Sequence, residues 1–257
     1  MYIDTHAHLY LDQFTEDQDA MIQRCKTEYV EKIFLPNIDL DTIEPMESLC
    51  NRHQGMLFPM IGLHPCSVGE NYLDVLDTME KLLDTNEYVG IGETGIDLYW
   101  DTTYEKQQEA SFRIQINWAR ERQLPVIIHS RNSLDETIRI IGEEQDGSLK
   151  GIFHCFTEDF DYASRIMDLG FLMGIGGVVT FKKSNELRDC VRKIPAEYLV
   201  LETDAPYLTP HPHRGKRNES SYLPLIAQVV AEARSLSVEE LANSTSEVAN
   251  HLFLDRE

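Results

Sequence analysis

The chain has 257 residues, 42% of them hydrophobic, and a formal net charge of −21. This composition suits a globular protein with a sizeable core, and no stretch approaches the roughly 18 consecutive apolar residues of a membrane span. The acidity disfavours sequence-independent binding to polyanions, so a nucleic-acid substrate would need local positive charge from a basic loop or a metal.

Apolar runs of strand length alternate with amphipathic runs of helix length. Strands are predicted over 2–6, 32–37, 56–63, 88–93, 124–129, 150–154, 171–175 and 198–203. Pro125 at the start of the fifth is tolerable because a first residue need not donate to the ladder, whereas Pro59 inside the third is less comfortable. Tyr72, Val75, Leu76, Met79, Leu82 and Leu83 recur at helical spacing, and 104–123 reads as a long helix. A last helix begins near Val238, where Ser237 and Glu240 form a capping-box pair. A Pro- and Arg-rich loop, TPHPHRGKRN over 209–218, follows the eighth strand. Strand–helix alternation predicts a parallel sheet, and eight such units in about 250 residues match the size of a (β/α)8 TIM barrel. A doubly wound open sheet is the alternative, but no Gly-rich phosphate loop follows the first strand. One domain over 1–257 is expected. The five cysteines, Cys25, Cys50, Cys66, Cys155 and Cys190, include no C-x-x-C pair. They suggest neither a disulfide framework nor a thiolate zinc site, and they fit a reducing cytoplasm. No signal segment is expected ahead of the first strand.

Five of the apolar runs end in metal-ligating residue types: His6 and His8, Glu93, His129, His154 and Asp204. In a barrel, catalytic groups gather at the C-terminal ends of the strands. Glu93 stands between Gly92 and Gly95, where the fourth run is expected to give way to a loop. A bare carboxylate there is costly unless it is paired. His6 and His8 are two apart and share a face of an extended chain. Asp4 has the same parity, as a core anchor or as a group orienting a ligating histidine. Asp204 lies nearer the mouth than Glu202, which is expected behind it; the alternative is that both carboxylates are simply ion-paired. Four imidazoles and two carboxylates are too many for one tetrahedral ion, and two divalent ions roughly 3.5–4 Å apart would use them all. His6, His8 and Asp204 suit one ion, His129 and His154 the other, with Glu93 as the bridge. A water held by both ions would ionise near neutral pH and attack, with Asp204 accepting or relaying a proton. Mixed N/O donors fit zinc, manganese, iron or nickel, and leave magnesium possible.

These residues fall in the blocks DTHAHL, GLHP (62–65), GIGETGID, IIHSR, GIFHCF and ETDAPYL followed by HRGKRN. Together they resemble the TatD family of metal-dependent deoxyribonucleases, within the amidohydrolase superfamily. The resemblance runs from residue 4 to residue 219 and implies a TIM barrel with a metal site of His6, His8, Glu93, His129, His154 and Asp204. It also implies hydrolysis of phosphodiesters, typically trimming DNA from the 3′ end. Deacylation of mischarged tRNA is a proposed activity of some relatives.

The expected activity is therefore a two-metal 3′-5′ DNA exonuclease, monomeric and cytoplasmic, acting on single strands or 3′ ends. The alternative is an amidohydrolase cleaving an amide, lactone or ester, including mischarged aminoacyl-tRNA; a metal-dependent scaffold without catalysis is the third reading. Substrate contacts are expected from His64, Arg131, Arg214, Lys216 and Arg217. Each has a blander reading: a loop histidine packed by Pro65, an arginine paired with Asp135, and a solvated basic face. Tyr99 and Trp100 could stack on a base or pack a loop. Cys155 is expected in the core.

Overall fold

Eight short parallel strands carry the apolar runs in the computed structural model, which describes residues 1–255. Arg256 and Glu257, the end of the expected domain, lie outside the described residues. The strands are β1 (Tyr2–Asp4), β2 (Val30–Pro36), β3 (Leu57–Met60), β4 (Ile91–Asp97), β5 (Val126–Arg131), β6 (Gly151–Phe153), β7 (Leu172–Ile175) and β8 (Leu199–Leu201). Nine α-helices lie among the described residues: α1 (Gln18–Thr27), α2 (Ile43–Arg52), α3 (Tyr72–Leu83), α4 (Glu105–Arg122), α5 (Leu134–Glu144), α6 (Phe160–Asp168), α7 (Asn185–Lys193), α8 (Leu223–Arg234) and α9 (Val238–Phe253). The capping box expected at Ser237 and Glu240 opens α9.

The strands form two parallel arcs, β1-β2-β3 and β4 through β8. Parallel bridges Ile61↔Ile91 and Ala7↔Ala205 join the arcs on both sides, closing a (β/α)8 barrel. Alternate residues divide between two cores, as strand pleating requires. Ile3, Phe34, Met60, Ile127, Ile152, Leu172 and Val200 fill the barrel interior, while Ile33, Leu35, Val126, Ile128, Met173, Leu199 and Leu201 pack with the surrounding helices. Phe253 of α9 joins the interior set and stacks on Phe34 with ring centroids 3.9 Å apart. The N-terminal end of the barrel is thus plugged by an aromatic pair, and the C-terminal end carries the polar residues.

One expectation is corrected here. β4 begins at Ile91 and runs to Asp97, so Glu93 lies inside a strand rather than at its end. The apolar count misses this because Gly92, Glu93, Thr94 and Gly95 look like a loop. The register between β4 and β5 shifts between Ile91 and Thr94, which leaves Glu93 at an irregularity. Beyond it the ladder resumes as Gly95↔His129 and Asp97↔Arg131. A Cβ on Gly95 would stand 2.0 Å from the His129 carbonyl oxygen, so only glycine permits this approach.

Candidate metal centre

Glu93, 2% exposed, is the hub on which the other groups converge. Its Oε2 lies 3.2 Å from His6 Nε2 and 3.4 Å from His8 Nε2. Asp204 Oδ1 approaches those two nitrogens at 3.8 and 3.7 Å. Glu93 Oε1 lies 2.8 Å from both His129 Nδ1 and His154 Nε2. Each oxygen of one carboxylate therefore faces its own set of imidazoles, and His6 stacks on His154 at 3.9 Å between the sets. His6 and His8 follow β1, Glu93 and His129 sit in β4 and β5, His154 follows β6, and Asp204 lies beyond β8. Asp204 holds a left-handed φ of 55°, an unfavourable conformation for a non-glycine residue, which points to a local demand on its orientation.

The hydrogen bonds behind the rings decide which nitrogen is free. Tyr10 donates its hydroxyl proton to the Pro36 carbonyl at 2.6 Å, so its oxygen accepts from His8 Nδ1 at 2.8 Å. His8 Nε2 is then left with a lone pair aimed at Glu93. Asp97 accepts from His129 Nε2 at 2.9 Å through Oδ2, leaving Nδ1 directed inward. Asp97 Oδ1 accepts from the backbone of Tyr99 and Trp100 at 2.9 and 3.2 Å, tying the next loop to the same ring. Glu202, fully buried, stands behind His154 with Oε1 3.6 Å from Nδ1, and it accepts from the Cys155 amide at 2.5 Å. Asp4 makes no hydrogen bond to an imidazole ring among the described residues. It accepts from the backbone of His6 and from the amide and hydroxyl of Thr203, so it is the anchor joining β1 to β8. Neither Asp97 nor Tyr10 was expected. Parity along 93, 95 and 97 would have found Asp97 had the strand not been ended at Glu93.

Burial pushes the Asp4 carboxyl up to about 7 and that of Asp204 up to about 6. Burial acts upward on Glu93 too, but His154, His64 and His6 around it outweigh that and hold it well below the carboxylate range. Burial holds His6 well below the ordinary imidazole value, whereas Glu93 and Glu202 lift His154 well above it in spite of burial. The donor set fits divalent cations. Nε2 of His6 and of His8 stand 3.2 Å apart beside a carboxylate oxygen, and two imidazole nitrogens brought that close need a cation or proton between them. Three groups of ligating residues, all containing His6 or Glu93, bring their atoms within 4.8 Å of one another. His64 belongs to one of them, with Nε2 3.5 Å from Glu93 Oε1. Its Nδ1 accepts from the Cys66 amide at 3.0 Å, so Nε2 carries the proton and faces the site as a donor, not as a ligand.

The expected substrate groups divide. The Arg131 guanidinium lies over the Tyr99 ring at 3.8 Å and near Trp100 at 5.1 Å, both aromatics being exposed. It does not pair with Asp135, which takes Arg165 instead. Arg214 and Lys216 are exposed and make no ion pair among the described residues, Arg214 lying over Phe181 at 3.7 Å. Arg217 is different. It bonds Asp17 at 2.6 and 2.9 Å and Glu219 at 3.3 Å and lies over Phe14, so it fastens the loop to α1 rather than facing the mouth. In so acidic a chain, an arginine beside two carboxylates is consumed by them. Cys155 is half-buried at a left-handed φ of 50°, not a core residue, because the chain turns out of β6 at that point. It lines a cavity of about 260 Å³ beside His154, together with Ser130, Asn132, Glu158 and Tyr162.

A closed (β/α)8 barrel whose C-terminal mouth gathers imidazoles around a shared carboxylate is the architecture of a metal-dependent hydrolase. The family model described as TatD related DNase matches residues 3–254, and the chain belongs to that family. It is 38% identical over 253 residues to the "Uncharacterized metal-dependent hydrolase YabD" of Bacillus subtilis (strain 168), covering 98% of this chain and 99% of the relative. It is 31% identical over 255 residues to the "3'-5' ssDNA/RNA exonuclease TatD" of Pantoea ananatis, covering 97% of this chain and 98% of that protein. The crystal structure of YjjV, a TatD homologue from Escherichia coli K12, superposes with a TM-score of 0.92 at 28% identity, covering 98% of this chain and 97% of that one.

Proposed function

We propose that this hydrolase cleaves phosphodiester bonds of nucleic acid as a 3′-5′ exonuclease on DNA, with two divalent ions held on either side of Glu93. The observation that carries the reading is the division of Glu93, one oxygen toward His6, His8 and Asp204 and the other toward His129 and His154. When bound, such ions supply Lewis acidity and a nucleophilic water of lowered pKa. Within the site, Glu93 spans both ligand sets and fixes their separation. Asp204, whose Oδ1 lies beside His6 and His8, would accept the proton released when such ions ionise a water. His64 donates through Nε2 to a phosphate oxygen or to the leaving group. Arg131, Arg214 and Lys216 bind phosphate, and Tyr99 and Trp100 offer ring faces to a base. Unpaired cations at the rim favour a phosphodiester over a neutral amide or lactone, and the name of the Pantoea ananatis relative supports nucleic acid. By this reading 1–257 forms one domain.

The test pairs metal analysis with a substrate panel of single-stranded oligonucleotide, bis-p-nitrophenyl phosphate and an aminoacyl ester. Wild type is expected to cleave the two diesters, while Glu93→Gln folds, loses one ion and loses turnover by roughly a thousandfold. Full activity in that variant, or wild-type hydrolysis of the ester alone, would overturn the reading.

A further inference from the structure

The loop after β7 carries Lys182 and Lys183, both exposed and neither in an ion pair among the described residues. Exposed lysines outside ion pairs are common among the described residues, Lys26, Lys106 and Lys150 included, so what sets this pair apart is its place beside the basic loop. On the outer helices, Arg113, Arg120, Arg122 and Arg139 are each engaged by carboxylates. The β7 loop is joined to the basic loop after β8. The His211 amide donates to Thr180 Oγ1 at 2.8 Å, and Arg214 lies on the Phe181 ring at 3.7 Å. The two backbones touch, since a Cβ on Gly177 would meet the Leu208 carbonyl oxygen at 2.0 Å. Arg188 of α7 donates to the carbonyls of Val179 and Phe181 at 2.7 and 2.9 Å and holds the loop in shape. Lys182 and Lys183 thus continue the cationic surface of Arg214 and Lys216 away from the metal centre, on the same face of the barrel. No acidic side chain is paired with any of the four among the described residues.

We infer that Lys182 and Lys183 form a second phosphate site, which holds the backbone of a single strand several nucleotides from the bond being cut. The inference rests on the nucleic-acid reading above. It assigns the substrate's length dependence to this loop: a dinucleotide would not reach the lysines, whereas a longer strand would. A strand held there gains affinity by neutralising phosphates and releasing counterions, so binding should weaken with salt by about 0.7 in log–log slope per contact.

The test uses the full chain with Lys182→Ala/Lys183→Ala, and Lys182→Glu/Lys183→Glu as the stronger variant. Both positions are exposed and unpaired, so both proteins should fold. The readouts are anisotropy of a labelled twelve-nucleotide strand across salt concentrations, without added metal, and the ratio of kcat/KM for that strand over a dinucleotide. In the alanine variant, affinity is expected to fall about tenfold and the salt slope to flatten by about 1.4, from two lost contacts. The kcat/KM ratio should fall with it, and further in the glutamate variant. Unchanged slope and ratio in a protein whose wild type binds and cuts the strand would overturn this inference and leave the function standing. A wild type that neither binds nor cuts the strand would overturn both.

Discussion

His129 shows how little of a metal ligand is its own doing. Its inward nitrogen is the one left over once Nε2 donates its proton in a hydrogen bond to Asp97, and the same carboxylate holds the Tyr99–Trp100 turn. Asp97→Asn removes an obligate acceptor and lets the ring adopt the other tautomer. Metal affinity is expected to fall about 10–100-fold, the usual result of losing such a partner, with the fold kept. Titration of the metal-free protein checks this; wild-type affinity in the variant would mean the ring is oriented by Glu93 alone. The six ligand candidates stood out in the sequence because apolar runs stop at an imidazole or a carboxylate, although Glu93 and His129 lie inside β4 and β5 rather than at their ends. Asp97 and Tyr10 were not. One lies on a strand extension hidden by two glycines, and the other acts through a proline carbonyl 26 residues away in sequence.

Among the elements, the loop after β8 is where sequence and structure part most clearly. Arg214, Lys216 and Arg217 read as one basic run, but Arg217 is bound by Asp17 and Glu219 while Arg214 and Lys216 make no ion pair among the described residues. A run of charge says nothing of which members meet carboxylates from a helix 200 residues earlier. Glu219 is nearly buried and also accepts from Arg24 at 2.7 Å and from Ser221. Burial alone would raise it, but these hydrogen bonds hold it below its ordinary value of 4.5. The folded state therefore prefers ionised Glu219, and the stability this confers is present above about 4.5 and lost as pH falls through the lower folded value. Glu219→Gln is expected to cost about 1–2 kcal/mol, since both guanidinium partners are partly exposed. Urea unfolding of the two proteins should show a gap that is constant from pH 7 to about 4.5 and closes below it. A gap that does not change with pH would mean that the charge on Glu219 contributes nothing.

The molecule as a whole has one closed end and one chemical end. The barrel itself was legible from the alternation of eight strands with helices, but the register shift between β4 and β5 was not. The plug was not, because nothing in α9 says that Phe253 turns inward onto Phe34. Phe253 is fully buried, and Phe253→Ala is expected to cost about 3–5 kcal/mol. The loss should lower the midpoint of a single unfolding transition followed by circular dichroism and by tryptophan fluorescence. Two separated transitions would contradict one domain. No helix among the described residues is long and apolar enough to cross a membrane. In a chain of net charge −21, the unpaired cations that matter stand at the mouth, beside a knot of imidazoles that divalent cations would hold together. The most direct measurement is anomalous diffraction from crystals grown with manganese. The account expects two peaks about 3.5–4 Å apart, one on each side of the Glu93 carboxylate. Crystals that show no peak there, with His129 and His154 still hydrogen-bonded directly to Glu93, would contradict it.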